Sequence, residues 1–282
     1  MTFAGIDPKY AQPEQSNIWL QSIPYDGTTT WGKGADGGFD AFMEASNNME
    51  LYDIETNSEV YKLGIHLLPP ITENSNPDAL QNVIYKAVKN QLNTDKLLTY
   101  FGGEHSISIG IIRAFKEKFE SLSVLHLDAH ADLRPEYNGS RFNHSCAMHE
   151  ASRTTNLVQV GIRSMDASEN KYMNHEKCFF MDRINTEKNW ITESIDLLGT
   201  EVYISLDLDV LDPSIMPSTG TPEPGGFSWE LITGYLKSVF YSKNVVGFDI
   251  VELAPIPGLN APNFLAAKLY YKMLSYKFSK ND

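Results

Sequence analysis

Short apolar runs alternate with longer amphipathic segments along this chain of 282 residues. The short runs resemble strands, whereas the longer segments repeat their apolar residues at helical spacing. The predicted strands cover residues 18–23, 97–101, 122–127, 157–160, 178–181, 202–206 and 245–250. The predicted helices cover residues 78–92, 106–119, 190–198, 228–240 and 263–278. This alternation constrains the fold more than any other feature, because it requires parallel βαβ units.

The chain contains no linker, charge block or internal repeat that would divide it. We therefore predict a single α/β domain over residues 1–282. Residues 47–76 are the least regular part and are expected to form surface excursions before the helix at 78–92. In an open parallel sheet, ligands bind beyond the carboxyl ends of the strands, so reactive side chains are expected there.

The composition limits the class of partner. The sequence has 36 Asp and Glu against 23 Lys and Arg, a net charge of −13 that disfavours nucleic acid and anionic lipid but permits a small cationic substrate. No stretch approaches the roughly 20 apolar residues of a membrane span, and no signal peptide is apparent, so we expect a cytoplasmic protein. Cys146 and Cys178 have no CxxC spacing and predict neither a zinc site nor a disulfide.

The strongest chemical signal follows the predicted strand at residues 122–127. Asp128, His130 and Asp132 occupy alternate positions, and alternate residues of a strand project to the same side. These side chains can therefore converge on one metal ion. An Asp-rich turn is the alternative, but it accounts for a single Asp better than for this spacing of three ligand-type residues.

A second acidic pair, Asp207 and Asp209, follows the predicted strand at residues 202–206. Two carboxylates at the end of a buried strand repel each other and resist ionisation unless cations neutralise them. Capping of a turn is the alternative, and it suits Asp212 before Pro213 better than it suits this pair. The pair therefore favours a metal site.

The third segment, residues 102–106 (Gly-Gly-Glu-His-Ser), follows a strand and opens a helix. Alone it is a weak signal, because a His near a helix start is often structural and Ser106 could act as a cap. With the two acidic segments it completes a set of six ligands: His105, Asp128, His130, Asp132, Asp207 and Asp209. Oxygen-rich sites with some imidazole suit Mn²⁺, and six ligands are too many for one ion. Two divalent ions would balance the four Asp charges and make water nucleophilic near neutral pH.

Two further residues are candidates for substrate binding and proton transfer. Glu252, after the predicted strand at 245–250, would stay anionic once metal neutralises the Asp residues, and it could grip a planar guanidinium. A surface ion pair is its alternative role. His144 lies in a polar loop and could deliver a proton to a departing amine, although an exposed His without a role is an equally simple interpretation. His126, inside a strand, is expected to be a hydrogen-bonded core residue.

Taken together, the three metal-binding segments resemble the ureohydrolase family, which includes arginases, agmatinases, formiminoglutamases and guanidino-acid hydrolases. The matching segments are residues 102–106, 128–132 (Asp-Ala-His-Ala-Asp) and 205–213 (Ser-Leu-Asp-Leu-Asp-Val-Leu-Asp-Pro), and the similarity extends from Ile23 to the final helix. The resemblance implies a three-layer αβα fold with a mainly parallel eight-stranded sheet. It also implies two Mn²⁺ ions at the carboxyl edge of that sheet, and cleavage of a guanidino compound into urea and an amine.

The resemblance further implies a role for each residue. One ion would be held by His105, Asp128, Asp132 and Asp207, and the other by His130, Asp128, Asp207 and Asp209, so that Asp128 and Asp207 bridge. His144 would be the proton shuttle, with Asp132 as an alternative relay. Glu252 would bind the guanidinium, and Thr221 would be the substrate-loop threonine. The family's trimers and hexamers imply a homo-oligomer.

Within the family, the sequence is most similar to agmatinases. Arginases usually place Asn-Thr-Pro directly after the third metal-binding position, whereas residues 133–135 here are Leu-Arg-Pro. Residues 144–148, 161–164 and 221–226 favour agmatine in the same way. Departures at residues 31–34, 38–39 and 143 leave arginine, guanidinobutyrate or formiminoglutamate open as substrates. A related zinc-dependent deacetylase and a non-catalytic metal-binding scaffold are more distant alternatives.

Overall fold

Eight strands form one sheet in the computed structural model, which describes residues 1–279. The strands are β1 (Ile18–Ile23), β2 (Ile65–Leu68), β3 (Leu97–Gly102), β4 (Ser123–Leu127), β5 (Asn156–Ile162), β6 (Cys178–Phe180), β7 (Glu201–Asp207) and β8 (Asn244–Val251). They lie in the order β2-β1-β3-β8-β7-β4-β5-β6, and every pairing is parallel. The predicted α/β fold with an eight-stranded sheet is confirmed.

Helices cover both faces of this sheet. They are α1 (Gly38–Ser46), α2 (Pro77–Gln91), α3 (Ile107–Lys118), α4 (Ala151–Thr154), α5 (Met181–Thr186), α6 (Trp190–Asp196), α7 (Trp229–Ser242) and α8 (Ala261–Phe278). Helices α2, α3 and α4 pack on one face, and α1, α6, α7 and α8 pack on the other. The result is the three-layer αβα arrangement that the resemblance implied, built from the parallel βαβ units that the alternating sequence pattern predicts.

The two faces of each central strand supply two separate cores. On β7, Val202, Ile204 and Leu206 pack with α7 and α8, whereas Tyr203 points to the opposite face and packs against Phe115 of α3. All five side chains are fully buried. Because both faces of the sheet are covered, the strands read as nearly continuous apolar runs.

Local sequence signals place the helix starts. Asn76 precedes α2 and accepts a hydrogen bond from the backbone N–H of Ala79 at 2.8 Å, with Pro77 in the first helical position. Ser228 caps α7 in the same way through the N–H of Leu231, at 3.2 Å. These signals explain why the predicted helices at 78–92 and 228–240 agree with α2 and α7 to within two residues at each end.

The prediction of irregular structure over residues 47–76 was wrong for residues 65–68. They form β2, which pairs with β1 at the edge of the sheet. Only Ile65 of this strand is fully buried, so the four residues carry no burial pattern. Helix α1 was also not predicted, and Met181, expected to end a strand, begins α5.

The two cysteines are buried free thiols, as predicted, and burial raises the pKa of each to about 12. Among residues 1–279, no helix is long and apolar enough to cross a membrane. The single-domain organisation over residues 1–282 stays a prediction.

Candidate metal centre

The carboxyl ends of four central strands meet at one edge of the sheet. Strands β3, β8, β7 and β4 are consecutive neighbours. Residues 103–106 follow β3, Glu252 follows β8, Asp207 ends β7, and residues 128–132 follow β4. Since the strands are parallel, these ends lie side by side, and the six predicted ligands are brought together there.

Three carboxylate oxygens surround Nδ1 of His105. The distances are 3.0 Å to Oδ2 of Asp128, 3.2 Å to Oδ2 of Asp132 and 3.2 Å to Oδ2 of Asp207, and all four side chains are at most 9% exposed. Within the described part of the chain, this buried nitrogen has no hydrogen-bond partner of suitable geometry. An orphaned polar atom in such a place is costly. The four atoms instead converge as ligands of a cation do.

The other ring nitrogen of His105 is held from behind. Its Nε2 lies 3.0 Å from Oγ of Ser205, and Ser205 donates to Oδ1 of Asp249 at 2.8 Å. A hydroxyl has one proton to donate, so Ser205 can only accept toward His105, and Nε2 carries the hydrogen. Nδ1 therefore keeps its lone pair toward the carboxylates, the tautomer that a metal-binding histidine needs.

A second group of predicted ligands adjoins the first. Nδ1 of His130 lies 2.8 Å from Oδ2 of Asp209 and 3.5 Å from Oδ1 of Asp128. Asp128 thus directs one oxygen to each histidine. Asp207 contacts the first group through Oδ2, and its Oδ1 accepts the backbone N–H of Asp209 at 2.8 Å. The donor set fits two adjacent cations that share Asp128.

His126 approaches the same centre, with Nε2 only 2.8 Å from Oδ2 of Asp128. Its role follows from Gln159, whose side-chain amide nitrogen donates to the carbonyl of Ala131 at 2.8 Å and lies 3.0 Å from Nδ1 of His126. An amide N–H is a donor, so Nδ1 accepts and Nε2 carries the proton that goes to Asp128. His126 therefore orients a carboxylate, as expected for a hydrogen-bonded core residue.

Burial disfavours the ionised forms of these carboxylates when no cation is close to them. Burial raises the pKa of Asp207 well above its ordinary value, and the carboxylates of Asp209 and Asp128 raise it further. Burial and Asp128 also raise the pKa of Asp209. Burial acts in the same direction on Asp128, but His126 and His105 hold its pKa well below the usual range. Bound cations would relieve the repulsion that these carboxylates share.

Asp132 and Glu252 have strained backbones, with φ of 52° and 68°. Residues other than glycine rarely adopt such values. Both are held by neighbours: Met148 donates its N–H to the carbonyl of Asp132 at 3.0 Å, and Glu252 donates its own to the carbonyl of Gly103 at 2.9 Å. Strain of this kind persists only where the surroundings impose it, and it clusters at functional sites.

The carboxylate of Glu252 has one anchored oxygen and one directed elsewhere. Oε1 accepts the backbone N–H of His105 at 2.8 Å. Oε2 lies toward Gly220, where an added β-carbon would be 3.5 Å away. Burial raises the pKa of Glu252 well above its ordinary value, and the carboxylate of Glu104 adds to this effect. A cationic ligand would restore the ionised form.

A cavity of about 240 Å³ opens onto these groups. Its wall includes His105, Asp132, His144, Asp207, Thr221 and Glu252. Arg134 and Asp166 also line it, with 3.7 Å between their charged groups. Glu223, two residues beyond Thr221, lies 3.7 Å from Nε2 of His130. The structure thus brings the predicted binding and proton-transfer residues into the wall of one cavity with the ligands.

Gly103 allows the turn after β3 to reach this edge. A β-carbon at this position would lie 1.9 Å from the carbonyl oxygen of Tyr25, so no side chain fits. The same carbonyl accepts the N–H of Glu104 at 2.8 Å. The sequence alone could not identify Tyr25 as the residue that approaches, because it lies 78 residues away along the chain.

Arg163 connects two loops at the edge of the site, and the sequence indicated it only as part of the segment 161–164. Its guanidinium donates to the carbonyls of Asp209 at 2.6 Å, Glu223 at 2.8 Å and Pro224 at 3.1 Å. It therefore ties the turn after β7 to the loop that carries Thr221. An Arg directly after a buried strand was the available signal, but its partners are 46 to 61 residues away in sequence.

Comparisons with known proteins found similar sequences and similar folds. A family model described as the Arginase family matches residues 16–275. The N(1)-aminopropylagmatine ureohydrolase of Thermus thermophilus is 36% identical over 281 residues, covering 98% of this chain and 94% of that protein. The agmatinase of Pyrococcus horikoshii is 31% identical, with 90% of each chain covered. The crystal structure of agmatine ureohydrolase of Thermoplasma volcanium has a TM-score of 0.84 at 28% identity, covering 94% of this chain and 91% of that chain.

Replacement of Asp128 by Asn should remove the carboxylate that both ligand groups share. We expect affinity for Mn²⁺ to fall by at least about a hundredfold, because changes to groups that only support a ligand already cost about 10–100-fold. Calorimetric titration of the metal-free protein would measure this. Asp182→Asn, an exposed carboxylate on α5, is the matched control. Two ions bound at unchanged affinity in Asp128→Asn would contradict the shared-ligand geometry.

Replacement of Arg163 by Met should loosen the loop at residues 219–226 without unfolding the chain. Hydrogen bonds from a charged donor contribute about 1.5–3 kcal/mol each, so losing them should speed amide exchange in this loop about tenfold or more. Hydrogen–deuterium exchange of the corresponding peptide is the measurement. Arg163→Lys keeps the charge with fewer donors and should be intermediate. Unchanged exchange in the Met variant would rule out this anchoring role.

Proposed function

The chain belongs to the arginase family and is a ureohydrolase, and from this we propose that it uses two Mn²⁺ ions to hydrolyse agmatine to putrescine and urea. The observation that carries the proposal is the pair of adjoining ligand groups sharing Asp128, with Glu252 in the same cavity. Arginine, guanidinobutyrate and formiminoglutamate are the alternative substrates within the family.

The donor set supports the choice of manganese. We assign one ion to His105, Asp128, Asp132 and Asp207, and the other to His130, Asp128, Asp207 and Asp209. Carboxylate oxygens with a minority of imidazole nitrogens, and no thiolate, suit Mn²⁺ better than structural zinc. When bound, such an ion pair supplies a nucleophilic water near neutral pH.

Glu252 is the proposed guanidinium-binding residue. Its anchored Oε1 fixes the carboxylate plane, so the other oxygen presents an acceptor in a defined position. A planar guanidinium can donate to it through charge-assisted hydrogen bonds, which are about twice as strong as neutral ones. Thr221 is exposed and lines the same cavity as Glu252, which supports its proposed role as the substrate-loop threonine.

His144 is the proposed proton donor to the leaving amine. It is half-buried in the cavity wall, and burial lowers the pKa of its imidazole below the ordinary value. A lower pKa makes the imidazolium a readier donor to an amine that departs with its electron pair. Asp132, which also lines the cavity, is the alternative relay.

The charges near the cavity mouth favour an amine tail over an amino-acid tail. Asp166 and Glu223 place carboxylates there, and the nearby guanidinium of Arg134 is directed to Asp166 and lies 4.5 Å from the ring of Tyr137. Since Arg134 is already paired with Asp166, the carboxylate of arginine would find no unpaired cation among these groups and would meet the like charge of Glu223, whereas the ammonium of agmatine would meet an opposite charge. This arrangement supports agmatine over arginine and over guanidino acids.

N(1)-Aminopropylagmatine is a second candidate substrate. Relatives named N(1)-aminopropylagmatine ureohydrolase are 30–36% identical to the chain, and the agmatinase of Pyrococcus horikoshii is 31% identical. The molecule extends agmatine by an aminopropyl arm with one further positive charge. Asp166 in the cavity wall and Glu223 beside His130 are the carboxylates that we propose as partners of that arm.

We also propose a homo-oligomer, trimeric or hexameric as in the family, that acts in the cytoplasm. A net charge of −13 is consistent with attraction of a small cationic substrate. A non-catalytic metal-binding scaffold is the competing function, and intact ligand groups at all six positions argue against it.

Hydrolysis measured across candidate substrates with added Mn²⁺ tests the proposal. We expect kcat/KM for agmatine to exceed that for arginine at least about tenfold, because like charges at an interface are strongly unfavourable. Faster hydrolysis of arginine would overturn the assignment of substrate. Two bound ions without hydrolysis of any guanidino compound would favour the scaffold instead.

The acidic mouth should distinguish the two amine substrates. Asp166→Asn and Glu223→Gln should each raise KM for N(1)-aminopropylagmatine by about two- to fivefold, as expected for an exposed ion pair, and KM for agmatine by less. Steady-state kinetics with both substrates would show the difference, with Asp182→Asn as the control. Equal changes for the two substrates would mean that the aminopropyl arm lies elsewhere.

A further inference from the structure

The hydroxyl of Thr28 joins His144 to a buried carboxylate. Thr28 Oγ1 donates to Oε1 of Glu104 at 2.8 Å. The same oxygen accepts the backbone N–H of His144 at 2.9 Å and lies 3.3 Å from Nδ1 of its ring. Three segments that are far apart in sequence therefore meet at one oxygen beside the cavity.

The hydrogen bonds at Thr28 Oγ1 determine which nitrogen of the His144 imidazole carries the hydrogen. A threonine hydroxyl has one proton to donate and two lone pairs that accept. Glu104 takes the proton, and the backbone N–H of His144 takes one lone pair. The remaining lone pair faces Nδ1, so Nδ1 must carry the hydrogen. Nε2, on the opposite side of the ring, then holds the lone pair or the transferable proton.

Glu104 is fixed as the acceptor by three donors. Besides Thr28, it receives the hydroxyl of Ser106 at Oε1, at 2.9 Å, and the backbone N–H of Ser106 at Oε2, at 2.7 Å. The residue is fully buried, and its own N–H is bonded to Tyr25. The side chain of Ser106 thus donates to Glu104 and does not cap α3. A carboxylate held in this way keeps the hydroxyl of Thr28 turned away from His144.

The segment that carries Thr28 is itself held in place. Gly32 donates its N–H to the carbonyl of Gly220 at 3.2 Å, and Gly34 donates to Oδ2 of Asp26 at 2.7 Å. This segment includes residues 31–34, where the sequence departs from the usual agmatinase pattern. Its contact with the loop next to Thr221 keeps Thr28 in register with the cavity wall.

We propose that Thr28 and Glu104 are positioning residues that hold the ring of His144 with its hydrogen on Nδ1 and present Nε2 to the cavity as the atom that transfers the proton. The inference rests on the proposed function, in which His144 protonates the leaving amine. In that step the Nε2–H bond breaks and its electron pair stays on Nε2. The proton binds the amine nitrogen, which has kept the electron pair of the broken C–N bond. An acceptor behind the ring orients it as the third group of a catalytic triad does.

The tautomer of His144 can be measured without metal or substrate. In the metal-free protein at a pH of about 8, above the ordinary imidazole pKa of about 6.5, ¹⁵N chemical shifts report which nitrogen is protonated. The His144 signals are identified by their loss in His144→Asn. We expect hydrogen on Nδ1 in the wild type and in Thr28→Ser, which keeps the hydroxyl. Thr28→Val, of similar shape, should shift the population toward Nε2–H, and an unchanged tautomer in this variant would overturn the inference.

Kinetics of the manganese-loaded enzyme with agmatine test whether this orientation matters. Thr28→Val should lower kcat about tenfold with KM changed less than about twofold, as a part of the roughly 10²–10⁴-fold contribution of general acid–base catalysis. Thr28→Ser should remain within about threefold of wild type. In a His144→Asn background, Thr28→Val should have no further effect on kcat, because the group it positions is gone. An equal loss in both backgrounds would indicate a merely structural threonine and contradict the proposal.

The two measurements separate failure of this inference from failure of the proposed function. In one outcome, His144→Asn retains wild-type kcat while the tautomer of His144 in the wild-type background still responds to Thr28→Val. Thr28 then positions the ring of His144, but His144 is not the proton donor, and the proposed function requires revision at that residue. If His144→Asn loses activity and Thr28→Val changes neither the tautomer nor kcat, the proposed function stands, but Thr28 and Glu104 do not position His144.

Discussion

Four carboxylates buried together at the carboxyl edge of the parallel sheet are the constraint on which this structure depends. Around Nδ1 of His105, three of them lie within 3.2 Å, and burial keeps water away. Cations among its oxygens would stabilise such a cluster, because mutual repulsion and lost hydration otherwise disfavour the ionised forms of Asp207 and Asp209. The parallel sheet makes the cluster possible. Strands β3, β8, β7 and β4 all end at the same edge, so ligands from distant segments converge without long loops.

Around these ligands, a layer of neutral donors and acceptors determines where each imidazole carries its proton. Ser205 leaves Nδ1 of His105 free to bind a cation, and Gln159 turns Nε2 of His126 into a donor to Asp128. Thr28 does the equivalent for His144 at the cavity wall. In each case a group with a fixed hydrogen-bonding sense removes the ambiguity of a ring that could be protonated on either nitrogen. The chemistry of the centre therefore depends on hydroxyl and amide groups as well as on the ligands.

The residues expected to select the substrate lie in different parts of the fold from the residues predicted to bind metal. The predicted ligands lie at strand ends, whereas Thr221, Glu223 and Asp166 lie in loops that Arg163 and Arg134 hold together. Loops can change without disturbing the sheet, so related proteins can share a centre and act on different molecules. The alternation of strands and helices predicted the bounds of most elements to within two residues, because it records the sheet and its helices. It carries no information on the loops, which would distinguish agmatine from its aminopropyl derivative.

The sequence by itself determined most of the strands and the main helices, and it predicted the six candidate ligands, because alternation and the Asp-x-His-x-Asp spacing are local patterns. It did not reveal β2, whose four residues become a strand only by pairing with β1 at the sheet edge. Nor did it reveal the partnership of Thr28 with Glu104 and His144, which are 76 and 116 residues away. Only the tertiary structure decided those contacts, since hydrogen bonds between distant segments depend on how the sheet brings them together and leave no periodic trace in the chain.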